Sequence, residues 1–106
     1  DCFGALLDEV PECAEDLPDA VLRQGQVFWA TVDSSWLHSV DRTVFASELD
    51  RIRQMEPTMI LSSHLPAAPG SSTERLLQAL EAVPGASPFV GPDQAALERM
   101  IAGVTG

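Results

Sequence analysis

The chain has 106 residues, 45% of them hydrophobic, with six arginines, no lysine and a formal net charge of −10. That length holds one ordinary domain or a piece of one, and the apolar content suits a small core rather than a disordered acidic tail. The charge argues against binding nucleic acid or an anionic membrane, where the leading electrostatic term would be repulsive, and no apolar run approaches the roughly 18 residues of a membrane span.

There is no leader with a basic start and an apolar centre. The chain opens on Asp1 rather than Met, which points to a processed protein or a piece of a longer one. Lysine-free usage rich in Ala and Arg resembles that of a GC-rich bacterial genome. Cys2 and Cys13 are too few for a disulfide scaffold and form no CxxC pair, so two buried thiols in a reducing cytoplasm are expected. A secreted, disulfide-bonded protein is the alternative.

Residues 1–16, "DCFGALLDEVPECAED", begin with an apolar stretch from Phe3 to Leu7 and continue as an acidic loop broken by Pro11. Glu12 to Asp16 reads as a solvated face. Residues 18–39 read as one helix with Pro18 in its first turn. Val21, Leu22, Phe28, Trp29, Val32, Trp36 and Leu37 recur at helical spacing, which places both tryptophans on a single apolar face. Gly25 weakens that helix by about 1 kcal/mol against Ala, a cost that close packing against a neighbour would justify.

Residues 41–55 give the clearest helix. Asp41 is its cap, Phe45, Leu49, Ile52 and Met55 form its buried stripe, and Pro57 ends it. Glu48 with Arg51 and Asp50 with Arg53 make exposed i,i+3 pairs worth a few tenths of a kcal/mol. "TMILS" at 58–62 reads as a buried strand. "SSTE" at 71–74 reads as a capping box with Ser71 at the cap, opening a helix that buries Leu76, Leu77, Leu80 and Val83 before Pro84-Gly85 stops it. The last helix follows Pro92 and ends near Gly103, with Leu97, Met100 and Ile101 as its core stripe. The expectation is an α/β chain, a single unit over 1–106, of about four helices and one or two short strands. One strand alone leaves its backbone groups unpaired, so a missing sheet is implied.

Few residues offer chemistry. HxH, HExxH, GxSxG, P-loop and GxGxxG patterns are all absent. His38, late in the first long helix, suits the negative helix end. His64 stands directly after the strand, where ligands and catalytic groups often project in α/β proteins, although an ordinary turn histidine is the plainer reading. Ser63 beside it is no dyad partner, because neighbours in a strand point to opposite faces.

"DCFGALL" at 1–7 resembles the Asp-x-Phe-Gly segment of metallo-β-lactamase-fold proteins, closest to their oxygen-binding diiron and flavodiiron-like branch. "EPTMILSSHLPAAPG" at 56–70 is similar to a later segment of that fold, where a strand ends in the last metal-binding histidine. A helical stretch with "W…VD…F…L.RIR…P" lies between them in the same order. The resemblance implies that the chain is the helix-rich C-terminal portion of an αββα sandwich that holds two divalent metals, iron or zinc, at its edge. Carried over residue by residue, Asp1 matches the bridging carboxylate and His64 the final histidine. The HxHxDH segment and the intermediate histidine are absent, so a missing N-terminal half is the implied partner. The intact parent would activate water for hydrolysis or bind dioxygen, and this chain alone would turn nothing over. The competing expectation is a non-catalytic helical module that self-associates or binds a partner through a Trp29/Trp36 face.

Overall fold

The computed structural model describes residues 2–105, for Thr105 the backbone alone. Four helices and one hairpin follow in chain order: α1 (Asp19–Asp33), α2 (Arg42–Met55), β1 (Met59–Ser62), β2 (Leu65–Pro69), α3 (Thr73–Ala82) and α4 (Gln94–Thr105). Short 3-10 turns at Ala14–Asp16, Ser35–Ser39, Gly70–Ser72 and Val83–Gly85 join them. The mixed, mostly helical class is as expected. An αββα sandwich needs two packed sheets, and the described residues form one two-stranded sheet.

Helix α3 is the centre of the body. Its leucine stripe is fully buried, with Leu76 and Leu77 at 0% exposure, and Val83 closes its lower end. Helices α1 and α2 pack on it from two sides. From α1 come Leu22, Gly25, Gln26 and Ala30, and from α2 comes Leu49. Gln26 is buried and donates from its amide to the Leu76 carbonyl at 3.3 Å, tying the two helices by a polar contact inside the core.

Helix α1 is shorter than the periodicity predicts. It stops at Asp33, and Ser34 leaves the helical region (φ −130°, ψ 55°) before the 3-10 turn Ser35–Ser39. The cause is local: Asp33, Ser34 and Ser35 are residues whose short polar side chains compete for the backbone and favour helix ends. The break also corrects the tryptophan face. Trp29 stays on α1 and turns inward, whereas Trp36 rides the 3-10 turn and is 62% exposed.

Helix α2 begins and ends where its sequence directs. The Asp41 carboxylate accepts from the Thr43 and Val44 amides at 2.9 and 3.0 Å. Glu56 closes the C-terminus in the left-handed region at φ 48°, just ahead of Pro57. Leu49 is buried, Phe45 and Ile52 lie partly against the core, but Met55 is exposed.

Arg53 does more than its expected i,i+3 pairing. Besides Asp50 it reaches Glu74 at 2.9 and 3.0 Å and Glu81 at 2.7 Å, so one guanidinium clamps α2 to α3. Those hydrogen bonds, Glu74 foremost, push the Arg53 guanidinium further up, and Arg53 holds the Glu74 carboxyl below its ordinary range. They also explain why the capping box is not built. Glu74 is committed to Arg53, Gly70–Ser72 form a 3-10 turn, and α3 starts at Thr73 without a side-chain cap.

The strand is not an orphan. Its partner is "LPAAP", paired antiparallel with Met59 opposite Pro69, Ile60 opposite Ala68 and Ser62 opposite Leu65. Prolines disguise β2, because they cannot donate to a ladder and read as turn, yet an edge tolerates them. Nor is β1 buried: Met59 and Leu61 face solvent.

On α4 the expected core residues Leu97, Met100 and Ile101 are 43–53% exposed, and no other described element packs extensively against the helix. The radius of gyration is 16.1 Å, where a compact chain of about 100 residues has about 13 Å.

Candidate functional site

The hairpin turn presents the one histidine that could act outward. Ser63 and His64 form a two-residue loop with no positive φ. Unprimed turns splay their strands, and a register shift between Ile60 and Ser62 accommodates the mismatch. His64 is therefore held exposed at the tip of the sheet, not along a strand. The Ser63 hydroxyl is one residue away in the same turn, and among the described residues it has no hydrogen-bonded base of the kind a nucleophile needs.

The beginning of the chain is folded against this turn. The Ala5 amide donates to the His64 carbonyl at 3.0 Å, and the Leu6 amide donates to the Gly25 carbonyl of α1, also at 3.0 Å. Phe3, Gly4 and Ala5 are buried between helix and hairpin. This is the neighbour that Gly25 serves: a Cβ there would stand 2.6 Å from the Leu6 carbonyl oxygen. Further along, Cys13 bridges to Ala67 of β2 in parallel.

Trp29 joins the two. Its indole lies 4.4 Å from the His64 imidazole, centroid to centroid, at a tilt of 32°. A Cβ on Gly4 would fall 2.2 Å from the indole Nε1. Gly4 and His64 thus contact the same ring. Neither partnership is visible in the sequence, where Trp29 belongs to a helix stripe and Gly4 to a short apolar stretch. A glycine amid apolar residues near the chain start is the only available signal of a close approach.

Of the two metal-ligand expectations, His64 sits at this corner and Asp1 lies outside the described residues. Its described neighbours, from Cys2 onward, lead directly into the segment that bonds His64. His38 is elsewhere, in the 3-10 turn after α1, with both ring nitrogens shielded and without a hydrogen-bond partner among the described residues. Both cysteines are free thiols, and Cys2 is exposed rather than buried. Among the described residues no group of three or more His, Cys, Asp or Glu side chains is placed to hold a metal ion. An open groove of about 760 Å³ lies between α1 and the end of α3, lined by Arg23, Val27, Phe28 and Ala82 among others, away from His64. No described helix is long and apolar enough to cross a membrane.

No family model, no curated protein and no solved structure matches this chain.

Proposed function

We propose that this chain is the C-terminal portion of a cytoplasmic metallo-β-lactamase-superfamily metalloprotein, contributing His64 and Asp1 to a dinuclear centre whose other ligands come from an N-terminal half. One observation carries the reading: the 3.0 Å bond from the Ala5 amide to the His64 carbonyl. It draws the segment that follows Asp1 to the turn that presents His64, across most of the chain. A bridging carboxylate and a terminal histidine need that convergence, and nothing in a plain helical bundle does.

The residues present fit one corner of such a centre. His64 is an exposed imidazole on a short, hydrogen-bonded turn, a donor that suits zinc or iron. A dinuclear site needs about four ligands per metal, which this chain's described side chains do not assemble. The metals, when bound, would supply Lewis acidity for hydrolysis or a binding position for dioxygen. This chain's part is to hold the final imidazole in place and to seat the N-terminal segment beside it. By itself it turns nothing over.

Metal content by elemental analysis is the test. The chain co-purified with an upstream half, without chelator, is expected to hold about two metals. The His64→Ala variant of that assembly should lose at least one of them. An assembly that binds no metal, or one that His64→Ala leaves fully loaded, sinks the reading.

A second reading has its own support in the exposed apolar surface of Trp36 and of α4. Under it the chain is a non-catalytic interaction module that self-associates. Light scattering decides: a dimer that Trp36→Ser dissociates, with no metal in any assembly, would favour it.

A further inference from the structure

We infer that Trp29 is a positioning residue for His64, its indole being the plate on which both the imidazole and the segment following Asp1 are set in register. The inference rests on the proposal that His64 is a ligand.

Two contacts meet on that ring, and a third links the residues that make them. His64 stacks on it at 4.4 Å, closer than the usual 4.5–7 Å range for aromatic pairs. Gly4 approaches its edge so closely that no side chain fits between them. The Ala5 amide, next in the chain, closes the triangle onto the His64 carbonyl. The indole N–H is shielded and has no acceptor among the described residues. A buried donor left unpaired costs about 1–3 kcal/mol, so packing and stacking hold the ring here, against the preference of its polar end.

A histidine on a two-residue turn loses rotamer freedom when it binds a ligand. The stack on Trp29 takes up part of that loss beforehand. Because Gly4 touches the same indole, a shift of Trp29 moves the imidazole and the N-terminal segment together. A side chain that merely filled space would need neither the ring-on-ring stack nor the glycine opposite it.

The probe is Co²⁺ added to this chain, with the imidazole resonances of His64 and His38 followed by NMR. His38, whose ring nitrogens are shielded, is the internal control. Selective broadening of His64 is expected. Trp29→Leu and Gly4→Ala should each raise the Co²⁺ concentration for half-broadening about ten-fold, the lower end for residues that orient a metal ligand. Trp29→Phe, which keeps a flat ring, should restore most of the loss, with far-UV circular dichroism unchanged throughout. Half-broadening at the same Co²⁺ concentration in Trp29→Leu, or no rescue by Phe, overturns the inference and leaves His64 as a ligand. If Trp29→Leu fails to fold, Gly4→Ala against Trp29→Phe makes the same distinction. A His64 signal that broadens no earlier than His38 overturns the inference as well, whereas the underlying reading stands or falls by the metal content of the assembly with the upstream half.

Discussion

Helices α3 and α4 are alike as sequences and opposite as structures. Each has a turn-rich stretch before it and an apolar stripe at helical spacing: Leu76, Leu77, Leu80 and Val83 in one case, Leu97, Met100, Ile101 and Val104 in the other. The first stripe is 0–5% exposed and the second 43–88% exposed. Periodicity states that a helix has an apolar face, and is silent about what that face meets. Helix α3 buries its leucines against α1 and α2, and Gln26 bonds across the first interface while Arg53 links the second. The stripe of α4 stays open to solvent.

The comparison breaks or sharpens at four places. Leu76→Ala should cost the most, about 2–5 kcal/mol, because it empties a site at 0% exposure; urea unfolding measures it. Next is Gly25→Ala, whose Cβ would meet the Leu6 carbonyl at 2.6 Å. Backbone must move there, so a loss of about 1–3 kcal/mol is expected, in place of the gain that Ala for Gly brings in an open helix. A neutral or stabilising Gly25→Ala would show that the N-terminal segment does not lie on α1.

The third effect is pH-dependent and smaller. In the folded chain Arg53 depresses the Glu74 carboxyl, so the unfolded chain binds its proton more readily. This contribution is fully present above the ordinary Glu range, near pH 4.5, and is lost as pH falls through the lower folded value. Arg53→Gln should flatten the acid limb of the stability–pH curve. An acid limb unchanged in Arg53→Gln would remove the clamp from the account of α2 and α3. The smallest effect belongs to α4. Met100→Ala should change monomer stability by less than about 0.5 kcal/mol. A cost like that of Leu76→Ala would mean that α4 is buried in solution and that the two helices differ less than the structure says.

The hairpin shows where sequence reading fails for a physical reason. β1 is legible as a short run built on Met59, Ile60 and Leu61 between Pro57 and a polar turn. Its partner is not, because Pro66 and Pro69 punctuate "LPAAP" as a loop, while the ladder of a two-stranded sheet demands few donors from it. The expected need for a sheet from elsewhere has that single origin. The proposed upstream half therefore rests on the ligands the chain lacks rather than on an unpaired strand. For the site, His64 stands out by its position, whereas periodicity groups Trp29 with Trp36 on one surface. Separating the two requires the helix break at Ser34, which three consecutive small polar residues foreshadow.

What the sequence determined by itself is what neighbouring residues decide among themselves. The Asp41 cap, the stop at Glu56–Pro57 and the apolar stripe of α3 follow from side chains acting on their own backbone within a few residues. Only the tertiary structure decided which faces are covered, where Arg53 directs its charge, and that Gly4, Trp29 and His64 share one contact. Those pairings join residues far apart in the chain. They are selected by shape and packing once the helices are assembled, and no local preference encodes them.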